Sequence, residues 1–199
     1  TDCAPPVTVG KLSSEPLFPS LGVAIRELES ANSVLVVGSN IRHEVPILAH
    51  RIRKAALRGG KISFINAQRY DYLFPVASYL ASNGLGSFDH LVAVAAAAIS
   101  ASGKTAPASI AALTAQAQPN DTHKAIAQQL SEGERRLILL GAIAQRDPAF
   151  ADLRLVAALK HDAGQGLCAG VAKEEAARVA EFGLDFAGGA CHLRDLLEG

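Results

Sequence analysis

Two short, unbroken apolar runs, "SVLVVG" (33–38) and "KISFIN" (61–66), bracket a stretch whose apolar residues recur every three or four positions. Runs of this length bounded by turn residues are the pattern of strands buried on both faces. The stretch between them, "HEVPILAHRIRKAALRGG", predicts a helix with Pro46 near its first turn and Gly59-Gly60 as its stop. Ile47, Leu48, Ile52, Ala55 and Ala56 give it an apolar face. Together these form a β-α-β unit, whose strands should be parallel and whose crossover should be right-handed. Upstream, "SLGVAIRELESA" carries Val23, Ile25 and Leu28 near helical spacing.

The theme returns in "RRLILLGAIAQRDPAFADLRLVAALKHDAG": basic residues, an apolar run, glycine, turn, proline and helix. Gly38 precedes Pro46 by eight positions and Gly141 precedes Pro148 by seven. The weak repeat predicts two strand–turn–helix units, near 33–66 and 135–160, in one α/β domain. The expected fold is a doubly wound, mostly parallel, Rossmann-like sheet with helices on both faces. Residues 71–132, alanine-rich and broken at "SNGLGS", "SGKTAP" and "QPND", read as a helical middle. The C-terminal "EEAARVAEFGLDFAGGACHLRDLLEG" reads as helix, glycine turn and short helix. Pro5, Pro6, Pro16 and Pro19 make residues 1–20 an extended lead-in, which leaves 21–199 as the domain. The first residue is Thr1 rather than Met, so the chain is expected to be cut from something longer.

Composition narrows the function. Of the 199 residues 49% are hydrophobic but only 5% aromatic, so small aliphatics dominate, which suits close-packed helices more than a β-sandwich. Nineteen Lys and Arg balance nineteen Asp and Glu, so no overall field draws the chain to nucleic acid or to an anionic membrane. The longest apolar stretch, "HLVAVAAAAIS", falls far short of the roughly 20 residues a bilayer span needs. Nor does the N-terminus have the basic and apolar regions of a signal peptide. Cys3, Cys168 and Cys191 lie far apart without a C-x-x-C, which argues against a local zinc or iron–sulfur motif and for reduced, intracellular thiols.

Few motifs carry chemistry. "SGKT" (102–105) has the end of a phosphate loop but Ala98 where its first glycine should be, and a helix where a strand should precede it; a plain turn is the better reading. "GQGLCA" (164–169) fits G-x-G-x-x-A with Asp185 downstream, yet follows a segment of helical periodicity, so its glycines suit helix caps better than a pyrophosphate. His43 and His50 could share a helical face but lack a third ligand, and adjacent Glu174 and Glu175 point apart on a helix. Arg51, Arg53, Lys54 and Arg58 give the first crossover helix a basic side without interleaved aromatics. That is the pattern of a solvated face or of docking to another chain, with Glu27, Glu29 and Glu44 available to offset the charge. At Gly38-Ser39-Asn40 a strand end meets a helix start. Backbone N–H groups there suit an anion as well as they suit a turn capped by Ser39 or Asn40, and local chemistry does not separate the two.

The run Leu17 to Asn66, "LFPSLGVAIRELESANSVLVVGSNIRHEVPILAHRIRKAALRGGKISFIN", resembles the molybdopterin oxidoreductase superfamily. It shares that family's order of helix, strand, G-x-N turn, proline, basic alanine-containing helix, glycine turn and second strand. Within the superfamily, "GSNIRHEVPILAHRIRKAALRGGKI" is most similar to a divergent branch, the large iron–sulfur subunit (G chain) of bacterial NADH:quinone oxidoreductase, respiratory complex I. "LILLGAIAQRDPAFADLRLVAAL" fits a later strand–helix of the same domain. Cofactor-bearing relatives follow the second strand with an acidic residue, Pro and Arg; here Asn66-Ala67-Gln68 follows, with Arg69 displaced. Their Pro-Gly-Thr-Asp stretch is replaced by "SNGLGSFDH".

The resemblance therefore implies a scaffold region that has lost molybdopterin and holds no cofactor. Iron–sulfur clusters would lie elsewhere in the parent chain and flavin elsewhere in the assembly. Gly38, Ser39 and Asn40 would mark a vestigial cofactor site, and Arg51, Arg53 and Lys54 a docking face for other complex I subunits. The location implied is peripheral, on the cytoplasmic side of the bacterial inner membrane, with no nucleic acid partner. The alternatives are a working molybdopterin domain, a nucleotide-binding domain like the central domain of thiamine diphosphate enzymes, or an unrelated soluble α/β domain.

Overall fold

The computed structural model describes residues 23–82, 86–103, 105–106, 110–158 and 167–171. Five strands form one sheet: β1 (Ser33–Val37), β2 (Lys61–Asn66), β3 (Ser78–Ala81), β4 (Arg136–Leu140) and β5 (Leu167–Val171). Their order is β3-β2-β1-β4-β5, and every neighbouring pair is parallel. This is a doubly wound α/β sheet, with its order reversing between β1 and β4.

The unbroken apolar runs follow from burial on two sides. Alternate residues of β1, β2 and β4 (Val34, Val36, Ile62, Phe64, Leu137 and Leu139) face a layer made by α1 (Ile41–Glu44), α2 (Pro46–Leu57) and a 3-10 helix, Ile25–Ser30. The intervening Leu35, Val37, Ile65, Ile138 and Leu140 face the opposite layer. That layer is built by α3 (Ser87–Ser102), α4 (Ala111–Gln116), α5 (Asp121–Glu132), α6 (Ala142–Gln145) and α7 (Phe150–Ala158). Helix α2 begins at Pro46, whose missing N–H costs nothing there, and buries Leu48, Ile52, Ala55 and Ala56. Ile47, expected on that buried face, is instead half exposed, because the inward stripe runs through 48, 52 and 55 and leaves 47 beside it.

Two further expectations change. The helical middle contains a strand, β3, and an irregular approach to it from residue 67 to 77. "SYLA" is too short to show a period; parallel pairing to Ser63–Asn66 of β2 makes it a strand. The approach is anchored by Phe64, which stacks on Tyr72 at 4.3 Å and on Tyr79 at 5.6 Å between ring centres. Second, the sequence predicts no strand here, yet Leu167, Cys168 and Ala169 of "GQGLCA" lie in β5; the disfavoured dinucleotide fingerprint would need a helix to open there. In "SGKT", Gly103 adopts φ 64° as the left-handed cap ending α3, as the plain-turn reading requires. Residues 1–22 and 172–199, with the expected lead-in, Glu174, Glu175 and the C-terminal helices, lie outside the described residues.

The two strand-to-helix corners at the switch point interlock. Parallel register sets Val37 beside Leu140, after which one chain turns to each face. Gly38 leaves β1 at φ 60°, and a Cβ there would stand 2.5 Å from the Ala144 nitrogen. A Cβ on Gly141 would stand 2.1 Å from that of Ser39. With no side chain on either, the Gly141 N–H donates to the Val37 carbonyl at 2.9 Å and the Ala144 N–H to the Gly38 carbonyl at 3.0 Å. Gly141→Ala is therefore expected to destabilise the fold by about 1–3 kcal/mol. Urea denaturation checks this, and an unchanged midpoint would mean that the corners do not touch.

Candidate functional site

The crevice of a doubly wound sheet lies beyond the carboxyl ends of its strands at the switch point, here over Gly38-Ser39-Asn40 and Gly141-Ala142. The structure brings these residues together and adds two that the sequence did not single out as site residues, Glu44 and Asn66. Glu44, in the single turn of α1, reaches back over the corner. One carboxylate oxygen accepts the Asn40 N–H at 2.8 Å. The other accepts the Ser39 hydroxyl at 2.8 Å and the Ala142 N–H at 3.0 Å. Asn66, fully buried at the end of β2, accepts the Ser39 N–H at 2.8 Å and donates to the Ser39 carbonyl at 3.1 Å.

Of the two readings left open at this corner, the cap by Asn40 is not the one formed. Asn40 makes no side-chain cap; the Glu44 carboxylate instead accepts the N–H of Asn40 itself and that of Ala142, the first residue of α6. The Tyr72 hydroxyl donates weakly to the Ser39 carbonyl at 3.4 Å, and burial followed by its tyrosine neighbours pushes its ionisation upward, so it stays a donor. Tyr79 accepts from the Asn66 amide at 3.1 Å and from the Tyr70 N–H at 3.0 Å, and its own hydroxyl donates to the Gln68 carbonyl at 2.8 Å. The guanidinium of Arg69 lies 5.1 Å from the centre of the Tyr79 ring.

The basic helix splits its cations. Arg51 and Lys54 both bond one oxygen of Glu29, and Arg58, just after the helix, bonds the other at 3.2 Å. Hydrogen bonds from Arg51 and then Lys54 lower the Glu29 carboxyl to about 2. Arg53 points elsewhere, donating from Nε to the Leu73 carbonyl at 3.4 Å. Of the offsetting acids anticipated, Glu29 serves this helix while Glu44 serves the crevice.

A family profile described as molybdopterin oxidoreductase matches residues 11–187. The chain belongs to the molybdopterin oxidoreductase family. A solved chain similar to this one belongs to the formyltransferase/hydrolase complex of Methylorubrum extorquens, crystallised with methylofuran. It is 15% identical with a TM-score of 0.47, over 78% of this chain and 40% of that one. This chain thus spans less than half the length of that relative. No curated protein matched.

Family membership raises the question of whether the crevice suits a pterin dinucleotide. As arranged, it does not. The Ser39, Asn40 and Ala142 N–H groups that could meet a pyrophosphate already serve Asn66 and Glu44, and an incoming anion would meet the Glu44 carboxylate. Among the described residues no three His, Cys, Asp or Glu side chains gather as a metal set.

The histidines expected to share a face are divided, His43 on α1 and His50 on α2. A different pair meets. His123 and Asn120 form a capping box: the His123 N–H donates to the Asn120 side chain and the Asn120 N–H to His123 Nδ1, both at 3.0 Å. Since Nδ1 accepts, the neutral ring carries its proton on Nε2, which lies 2.9 Å from His90 Nδ1 and donates to it. No local signal reveals the pair, because a histidine stands where a capping box usually has Glu or Gln, and its partner is 33 residues away.

Removing Glu44 leaves two N–H groups and a hydroxyl without an acceptor. Glu44→Ala is expected to lose about 1–3 kcal/mol in chemical denaturation, with Glu44→Gln recovering part; an alanine variant as stable as the parent would refute the closed corner. A pH series reads the ionisable groups. Burial depresses both His90 and His123 below 6.5; Asp89 opposes it at His90, and His90 adds to it at His123. The unfolded chain therefore binds more protons, so stability is full above pH 6.5 and declines as pH falls through the folded values. His90→Gln with His123→Gln should flatten this limb. The Glu29 contribution is full above pH 4.5 and is lost as pH falls through about 2. Stability independent of pH between 7 and 5 would refute the neutral pair.

Proposed function

We propose that this chain is the molybdopterin oxidoreductase-like scaffold region of the large iron–sulfur subunit (G chain) of bacterial NADH:quinone oxidoreductase, respiratory complex I. In this reading it holds no redox group and performs no chemistry. It supports electron transfer from NADH to quinone by shape and by docking to other subunits, while iron–sulfur clusters and flavin lie elsewhere in the assembly. The observation carrying the scaffold half is the Glu44 carboxylate on the N–H groups where a relative's cofactor phosphate would be received. Gly38, Ser39 and Asn40 are then a vestigial site. The complex I half is supported by the similarity of "GSNIRHEVPILAHRIRKAALRGGKI" to that branch.

Docking through Arg51, Arg53 and Lys54 of α2 belongs to the same reading, as does a peripheral place on the cytoplasmic side of the inner membrane. Compatible with this, no helix among the described residues is long and apolar enough to cross a membrane. The equal numbers of acidic and basic residues give no reason for a nucleic acid partner.

The test has two arms. Elemental mass spectrometry of the purified chain, with the denatured supernatant examined for pterin and nucleotide, is expected to be blank. Stoichiometric molybdenum, tungsten, pterin or dinucleotide would overturn the scaffold. The tagged parent protein is expected to copurify with an iron–sulfur assembly that oxidises NADH; an assembly without that activity would overturn the complex I assignment alone.

A further inference from the structure

Helix α2 has three differently treated sides. Its inner side packs on the sheet, and one flank gives Arg51 and Lys54 to Glu29. Its outer side presents Pro46, His50, Arg53 and Leu57, all exposed, while exposed Ile47 lies on the flank of Arg51 and Lys54. The large apolar residues most exposed among those described are Ile47 at 50%, Leu57 at 59% and Leu73 at 74%. Two lie on this helix, and Leu73 sits in the segment to which Arg53 bonds. Single exposed aliphatics are ordinary, but Leu57, one turn beyond Arg53, and Leu73, whose carbonyl Arg53 bonds, set two of them beside an exposed arginine.

A shallow groove of about 180 Å³ runs between α2 and that segment, lined by Arg42, His50, Arg53, Tyr72, Leu73 and Phe74. The helix itself holds no carboxylate. Glu44, the nearest acid along the chain, is turned into the crevice.

We propose that this face docks a segment of another polypeptide that presents carboxylates beside aliphatic side chains. The carboxylates would meet Arg42 and Arg53, and one apolar side chain would fill the groove. From Ile47 to Leu57 the helix rises about 15 Å, the length of roughly three turns of a partner helix. Charge complementarity selects an acidic partner. Concavity favours a protein side chain over a lipid surface, and two arginines with one histidine fall short of the about four to eight Lys or Arg of a lipid-binding cluster. The inference refines the docking part of the scaffold reading and rests on it, shifting the weight from Arg51 and Lys54 to Arg42 and Arg53.

The test places a photo-crosslinking residue at Leu57 or at Leu73 in the parent protein in its own cells. Adducts are mapped by mass spectrometry. The expected result is one segment of another chain, rich in Asp or Glu and aliphatics. Arg42→Glu with Arg53→Glu should lower the yield at least tenfold, and a Glu→Arg change in the partner segment should restore it. Both arginines are exposed, so the melting temperature should hold; Leu73→Ser read from Leu57 supplies an independent variant. Adducts to lipid, to a second copy or to the same chain would overturn the proposal, as would a yield indifferent to the charge reversal. Cofactor content is measured separately, so a bound pterin would sink the scaffold while lost crosslinks would sink only the docking.

Discussion

The rest of the structure depends on how closely two backbones approach where the sheet changes direction. β1 and β4 lie side by side in register to their last residues, and then their chains part, α1 and α2 to one face and α6 and α7 to the other. In an open sheet such a parting leaves a cleft for a ligand. Here Gly38 and Gly141 lack the side chains that would hold the corners apart, and two inter-corner hydrogen bonds draw them together. At the rim the Ser39 N–H is taken by Asn66, and the Asn40 and Ala142 N–H groups by Glu44. Gly38 is required by its positive φ and by the close approach of Ala144, which leaves no room for a side chain.

Two glutamates organise the charge. Glu29 gathers three cations and so ties the 3-10 helix to α2 on the sheet's outer layer. Glu44 ties α1 to the start of α6 across the switch point. A chain with no net charge can still present a cationic face when its acids are spent internally in this way. The surface character of α2 is therefore set by where its neighbouring acids point more than by its own composition.

The two-sided strands were legible because double burial leaves an unmistakable apolar run, as in "SVLVV" and "RLILL". The switch-point corner was legible for the same reason, since glycine after such a run marks the strand end. β3 was not, because four residues with an exposed Ala81 carry too little pattern, and pairing rather than propensity makes them a strand. At the site, Gly38-Ser39-Asn40 could be read locally, but the choice between anion and cap could not. It turns on Ala142, 98 residues from Glu44, and on Asn66 at another strand's end. Exposure of Ile47 was missed because residues 47 and 48 are both apolar, and only packing decides which of them faces inward.

The histidine pair bears on the same question from a different place. α3 begins six residues after β3 ends, so His90, in its first turn, stands toward the carboxyl edge of the sheet. There the exposed N–H groups of a helix start would attract an anion. At α5 the protein answers with Asn120 and a neutral imidazole, whose tautomer the Asn120 N–H fixes and whose Nε2–H a second neutral imidazole on α3 accepts. At the switch point it answers with Glu44. Two helix starts are thus satisfied by the chain's own groups, one with a charge and one without. A cofactor-binding sheet keeps such donors available, because binding requires that water, not protein, be displaced from them. A sheet that commits them internally ties its helix starts to its own chain, and the docking proposed for α2 would then place recognition on an outer face, where arginine stands beside leucine.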